Sequence, residues 1–134
     1  MENRLIVVDT DVVIDFFRNI SPAADVLSEQ VSSEEAAITA ISVFELYAGV
    51  EGSKRLRQIE SLVQELIVLP LNTMEAAVAG RIYTQLKARG KMIGIQDILI
   101  AGICIANDLR LYTKNMAHFS EIKDLRLISP NEKV

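Results

Sequence analysis

The sequence predicts an α/β fold, a three-layer sandwich in which helices cover both faces of a mostly parallel central sheet. Short apolar runs rich in β-branched residues alternate with segments of helical periodicity along the whole chain of 134 residues. Half of the residues are hydrophobic and 24% are charged, which is enough for a core and excludes a disordered chain. No repeat or Pro/Gly-rich linker divides the sequence, so we expect one domain spanning residues 1–134.

The individual elements are predicted from their apolar patterns. Buried strands are short continuous apolar runs, whereas helices place apolar residues at intervals of three and four. The predicted strands are residues 5–8, 36–39, 67–69, 109–112 and 125–128. The predicted helices are residues 10–18, a second from Ser21-Pro22, a third from Ser42 to about 48, a fourth from about 53, then 74–88 and 95–107. The last of these is apolar on nearly every face and should be the most buried helix.

Residues that cap backbone groups predict the helix ends. Ser21 is a favourable N-cap, and Pro22 fits the first position of a helix. Ser42 and Glu45 have the Ser-x-x-Glu spacing of a capping box. Gly90 follows a helical segment and is expected to end it.

Charge and the scarcity of cysteine and histidine limit the chemistry. Residues 1–50 hold nine acids and two bases, and residues 51–134 hold nine acids and twelve bases, so −7 and +3 sum to −4. Because a net-acidic protein repels phosphates, a nucleic-acid ligand requires a local basic face or a bound cation. Cys104 and His118 are single residues of their types, so any metal must be held by oxygen. We expect His118 to be a packing or capping residue.

Three carboxylates are expected at the carboxyl edge of the sheet, where open parallel sheets form their sites. Asp9 ends the first strand, and Glu45 and Asp97 are predicted in the first turns of two helices. Acids at helix N-termini are favoured on their own, but three together repel one another unless a cation binds. The set therefore predicts Mg²⁺ or Mn²⁺ and a phosphate-ester substrate. Asp11 adds a nearby acid, and Asn115 adds a carbonyl oxygen if the strand order permits.

Four motifs resemble those of the PIN-domain ribonucleases. They are LIVVDTDVVID at 5–15, ISVFELYAG at 41–49, GIQDILIA at 94–101, and LYTKN at 111–115 followed by His118-Phe119. Their order and spacing extend over nearly the whole chain. The compact size is similar to that of the VapC toxins of type II toxin–antitoxin pairs.

The resemblance implies a Mg²⁺- or Mn²⁺-dependent endoribonuclease. Asp9, Glu45 and Asp97 would be its catalytic, metal-binding acids, and Asn115 would be the fourth catalytic position. The family also implies an RNA substrate, a partner antitoxin and a homodimer. Two departures leave the number of metals open, since Asp11 stands where Ser or Asn is common and Asn115 where many members have Asp.

Two other functions fit parts of the sequence. The Asp-x-Asp at the end of the first strand also fits a haloacid dehalogenase-type phosphatase with Asp9 as nucleophile. That fold predicts a later acidic pair on a loop, whereas Asp97 lies inside an apolar helix. A receiver-like signalling module fits Asp9 and Asp11 at the end of the first strand and Thr113-Lys114 after a later one. Such a module requires a phospho-acceptor aspartate after a middle strand, where only Glu45 is near.

Location and partner surfaces are the remaining expectations. The apolar run 98–106 is about half of the roughly 20 residues that a bilayer span needs, and no signal peptide is recognised, so we expect a cytoplasmic protein without a membrane span. Basic residues before the Asp97 segment are expected to contact RNA phosphates: Lys87, Arg89 and Lys91. Large apolar residues of the early helices are expected in part to form a groove or a dimer interface: Val12, Val13, Phe16, Phe17, Phe44 and Tyr47.

Overall fold

The computed structural model describes residues 4–132 and 134. In chain order the elements are β1 (Ile6–Val8), α1 (Thr10–Phe17), α2 (Ala23–Ser32), β2 (Ala36–Thr39), α3 (Ala40–Ala48), α4 (Ser53–Glu65), β3 (Ile67–Leu69), α5 (Thr73–Arg89), α6 (Ile95–Ala106), β4 (Arg110–Tyr112), α7 (Met116–Phe119) and β5 (Leu127–Ile128). The predicted alternation of strands and helices is confirmed. Helix α7 was not predicted, because four residues are too few to show a periodicity.

The five strands form one sheet in the order β3-β2-β1-β4-β5, and every neighbouring pair is parallel. The chain moves from β1 outward to β3 and then returns to the other side of β1, so the strand order switches between β1 and β4. Val8 is in register with Tyr112, and the Asp9 amide donates to the Tyr112 carbonyl at 3.0 Å. The residues that follow β1 and β4 are therefore adjacent at the switch point, where open α/β sheets bind ligands.

Alternate residues of the strands face two separate apolar layers. Val7, Ala37 and Leu111 pack with residues of α5 and α6, including Ile82, Leu86, Ile98 and Ile103. Ile6, Val8, Ile38 and Tyr112 pack with residues of α1, α2 and α4, including Val12, Leu27 and Ile59. The three-layer sandwich is thus confirmed. Within the described residues, every helix is too short or too polar to cross a lipid bilayer.

The predicted start of α2 is wrong by one residue. The helix begins at Ala23, and Pro22 occupies the N-cap position rather than the first helical position. Ser21 does not cap the helix with its side chain; its hydroxyl donates instead to Asp25 Oδ2 at 2.8 Å. The serine therefore bonds to a carboxylate of the first turn rather than to the free amides.

The predicted capping box of α3 is also wrong. Thr39, the last residue of β2, has an extended backbone, and its Oγ1 accepts from the Ser42 amide at 3.1 Å. Because this cap lies three residues earlier than predicted, α3 begins at Ala40. Glu45 consequently lies in the second turn of the helix and not in the first.

Helix α6 is the most buried helix, as predicted, and it lies closely against α5. Gly90 ends α5 in the left-handed region at φ 66°, also as predicted. A Cβ atom placed on Gly102 of α6 would lie 2.7 Å from the Cβ of Ala79 on α5. The absence of a side chain at Gly102 therefore allows this close approach of the two helices.

Candidate active site

Asp9 occupies the centre of the switch point between β1 and β4. It is 6% exposed, and its position after a buried strand makes it the N-cap of α1. Its Oδ1 accepts from the Thr10 amide at 2.9 Å, and its Oδ2 accepts from the Thr113 hydroxyl at 2.7 Å. Both oxygens of this carboxylate are thus held in place by groups at the ends of neighbouring strands.

The pKa of Asp9 is raised from 3.8 to about 7. Burial is the main cause, and the charge of Asp11 is the next; Asp97 adds a smaller contribution of the same sign. The hydrogen bonds from Thr113 and Thr10 act in the opposite direction, because they stabilise the carboxylate. Of the acids predicted to repel one another at this edge, Asp97 therefore acts on Asp9, and Asp11 acts on it more strongly.

Asp11 lies in the first turn of α1 and contacts the segment after β4. Its Oδ2 accepts from the Lys114 amide at 3.1 Å and is 3.5 Å from the Thr113 hydroxyl. Its Oδ1 is buried and has no hydrogen-bond partner among the residues described. Burial raises the pKa of Asp11 as well. A buried carboxylate oxygen without a donor favours either a proton or a cation beside it.

Glu45 reaches the same edge through Thr10, although it lies one turn further along α3 than predicted. Thr10 donates its hydroxyl to Glu45 Oε1 at 2.7 Å and its amide to Asp9 Oδ1. One threonine thus orients two of the predicted acids.

Asp97 and Asn115 both lie close to His118. The His118 Nδ1 atom lies 3.6 Å from Asp97 Oδ2 and 3.1 Å from Asn115 Nδ2. The histidine side chain is 57% exposed, so the prediction of a packing residue is wrong, and the prediction of a capping residue stays a prediction. Its position in the short helix α7 brings it between two predicted site residues, which sequence spacing alone does not reveal.

The donor set fits a hard divalent cation, although it is not a preformed cage. Within residues 4–132 and 134, no three Asp, Glu, His or Cys side chains converge closely enough to be a metal site as they stand. Two features nevertheless favour a cation at this place: Asp11 Oδ1 has no hydrogen-bond partner, and the pKa of Asp9 is raised. A bound cation would relieve the repulsion between the clustered carboxylates. Their oxygen-only chemistry suits Mg²⁺ or Mn²⁺ better than Zn²⁺.

Sequence reasoning missed four residues that hold this site together, and Thr10, described above, is one of them. Thr113, which is fully buried, bonds to Asp9, and Lys114 bonds to Asp15 through its ammonium group. The available signal was their position directly before Asn115, after a predicted strand. For Asp15 the only signal was its spacing of one helical turn from Asp11.

The sequence model of the PIN domain matches residues 6–125. The chain therefore belongs to the PIN-domain family. Among its curated relatives are ribonuclease VapC1 of Methanocaldococcus jannaschii, which is 32% identical over 94% of this chain and 87% of its own length, and ribonuclease VapC10 of Mycobacterium tuberculosis, which is 31% identical over 91% of both. The solved structure of VapBC2 from Rickettsia felis, bound to a DNA fragment from its promoter, aligns with a TM-score of 0.80 at 25% identity, over 93% of this chain and 98% of that chain. This assignment replaces the phosphatase and receiver-like alternatives.

Proposed function

We propose that this protein is a metal-dependent endoribonuclease, the toxin of a toxin–antitoxin pair, formed by one PIN-like domain over residues 1–134 and active in the cytoplasm. The observation that carries the proposal is the buried Asp9 at the strand-order switch, where burial and then the neighbouring acids raise its pKa to about 7. Membership in the PIN-domain family and ribonuclease relatives across nearly the whole chain support the same conclusion.

Asp9 and Asp97 are the proposed direct ligands of Mg²⁺ or Mn²⁺. When bound, the cation lowers the pKa of a coordinated water and offsets negative charge on the scissile phosphate. Thr10 and Thr113 hold the Asp9 carboxylate through the hydrogen bonds described above. Glu45, oriented by Thr10, would orient the attacking water or ligate the cation through a water, and Asn115 would position a phosphate or a ligand water.

RNA cleavage in the presence of metal tests this function. Purified protein should cut a structured RNA with Mg²⁺ or Mn²⁺, and excess chelator should stop the reaction. Asp97→Asn removes a proposed ligand and should lower kcat by at least about 100-fold. Asp108→Asn is the matched control, since Asp108 is an exposed aspartate paired with Arg126 at 2.9 Å and should leave kcat unchanged. Cleavage that persists in excess chelator contradicts the proposal.

The proposed partners are an antitoxin protein and a second copy of the chain. The curated relatives are VapC ribonucleases and a matching solved structure is a VapBC complex, which supports the antitoxin. Phe44 and Tyr47 on α3 are 58% and 40% exposed, which leaves them accessible to a partner. Val12 and Val13 are buried in the core, so their prediction as interface residues is wrong. Light scattering should give the mass of two chains for the wild type and of one for Phe44→Ser with Tyr47→Ser.

A further inference from the structure

A partly buried ion pair lies beside the acidic site, and none of the proposed catalytic roles involves it. Lys114 Nζ is 2.9 Å from Asp15 Oδ2, and the two side chains are 46% and 9% exposed. Withdrawing a carboxylate from water is costly, and the attraction within such a pair often does no more than offset that cost. Stability alone is therefore a weak reason for a charged pair at this place.

The segment that carries the lysine is tied to the start of α1 at consecutive positions. Thr113 donates its hydroxyl to Asp9, and Lys114 donates its amide to Asp11 and its ammonium group to Asp15. These bonds join residues that are 99 to 104 positions apart in the sequence. Asp9, Asp11 and Asp15 thus hold one short loop from three points along one helix.

The same loop sets the place of two other site residues. The Asn115 amide donates to the Thr113 hydroxyl oxygen at 2.9 Å, so Asn115 follows any movement of Thr113. Asn115 in turn contacts His118, which lies 3.6 Å from Asp97. A chain of contacts therefore runs from the buried Asp15 through the loop to the opposite side of the site.

We infer that Asp15 is a positioning residue, which acts through Lys114 to hold the loop of residues 113–115 and thereby places Thr113 and Asn115 at the acidic site. The inference rests on the proposed ribonuclease function. It also gives Lys114 a role other than contacting RNA, because Asp15 already holds its ammonium group. Asp15 does not touch the reacting atoms, so its effect is on the geometry of those that do.

The first test separates kcat from KM. Asp15→Asn keeps the shape of the side chain but removes its charge, and kcat should fall about 10- to 100-fold while KM for RNA stays within about twofold. Lys114→Gln should lower kcat by a similar factor. Lys114→Arg can re-form the ion pair and should therefore retain most of the wild-type kcat. Since both residues act through one bond, Asp15→Asn with Lys114→Gln should lose no more than about twofold beyond the single variants.

The second test does not depend on activity. Hydrogen exchange measured by NMR should show faster exchange at the Lys114 and Asn115 amides in Asp15→Asn than in the wild type, because both amides bond within the held loop. Asp108→Asn is again the control and should change neither exchange nor kcat. If the wild type cuts no RNA, the proposed function is wrong. The exchange measurement would still test whether Asp15 keeps residues 113–115 in place.

Two results overturn the inference. Unchanged kcat together with unchanged amide exchange in Asp15→Asn means that the ion pair positions nothing. A raised KM for Lys114→Gln at constant kcat, with a lowered KM for Asp15→Asn, means that Lys114 binds RNA phosphate and that Asp15 competes for it.

Discussion

The Thr113 hydroxyl donates a 2.7 Å hydrogen bond to Asp9 Oδ2 across 104 positions of sequence. The two residues follow β4 and β1, which are neighbours in the sheet although they lie far apart along the chain. The bond lowers the pKa of Asp9 and so opposes part of the effect of burial. It therefore keeps a deeply buried carboxylate available to a cation near neutral pH.

Replacing this hydroxyl should shift the pH dependence of cleavage. Thr113→Val keeps the shape but removes the donor, so the pKa of Asp9 should rise above about 7 and cleavage should require a higher pH. The buried oxygen left without a donor should also cost about 1–3 kcal/mol of folding free energy at high pH. Rate profiles against pH at a fixed, subsaturating metal concentration test this, because saturating metal displaces the proton from Asp9. Thr84→Val is the control, because the Thr84 hydroxyl donates to the Gly80 carbonyl on an exposed face of α5. Equal profiles for both variants and the wild type contradict the prediction.

The raised pKa of Asp9 also predicts how stability depends on pH without metal. Between its unfolded pKa of 3.8 and its folded pKa of about 7, the folded protein holds a proton that the unfolded chain releases. The stabilising contribution of the protonated group is fully present below about pH 4 and is lost as pH rises to about 7. The loss is on the order of 4 kcal/mol.

Asp9→Asn should remove this loss of folding stability between pH 4 and pH 7. Its metal-free form should be more stable than the wild type at pH 7, and the difference should shrink toward pH 4. Added Mg²⁺ should raise the melting temperature of the wild type by linkage and should raise that of Asp9→Asn much less. Thermal melts at several pH values, with and without Mg²⁺, provide both readings. An equal Mg²⁺ effect on the two proteins would show that Asp9 is not a ligand.

Much of this fold is predictable because local patterns and sheet geometry agree. The apolar runs place the strands, and the carboxyl ends of parallel strands meet at one edge, which correctly locates Asp9 and Asp97. The start of helix α3 could not be predicted from the local sequence. Both Thr39 and Ser42 are good N-caps, and only the end of β2 determines that Thr39 takes the role.

The bonds that organise the site could not be predicted from one sequence. Thr113 and Lys114 contact α1 because β4 lies next to β1, and strand order is not encoded in any local pattern. His118 is similar, since its contacts depend on how α7 lies over the start of α6. The proposed ligands and catalytic residues are recognisable by their chemistry, whereas the residues that contact and hold them depend on topology.

The close approach of α5 and α6 predicts a steric effect at Gly102. In Gly102→Ala the new methyl group would lie within 3 Å of both the backbone and the Cβ of Ala79, so the helices must separate. We expect a net loss of about 1–2 kcal/mol, because overpacking outweighs the gain in helix propensity. Gly80→Ala is the matched control: a Cβ there meets nothing within 4 Å, so stability should rise by about 0.5–1 kcal/mol. Chemical denaturation of both variants measures this, and a Gly102→Ala variant as stable as Gly80→Ala contradicts it.

The last prediction concerns how an acidic protein holds RNA. Lys87, Arg89 and Lys91 are exposed around Gly90, just before the Asp97 segment, and Arg89 donates to the Glu121 carbonyl beyond α7. If they contact phosphates, Lys87→Ala with Arg89→Ala should reduce the log–log salt dependence of single-strand binding by about 1.4, or about 0.7 for each contact. Glu45→Gln is a suitable background, because it should slow cleavage while retaining Asp9 and Asp97.

The control for that measurement removes the same charge elsewhere. Lys54→Ala with Arg57→Ala takes two cations from α4, where they line a separate cavity of about 510 Å³ with Phe16 and Phe17. Because both double variants change the net charge equally, any long-range effect on RNA binding should be similar, and only direct contacts change the slope differently. A reduced slope for the α5 pair alone supports the predicted path of the RNA. A reduced slope for the α4 pair alone moves the RNA to the face of α1 and α4 and leaves Lys87 and Arg89 as favourable charges at a helix C-terminus.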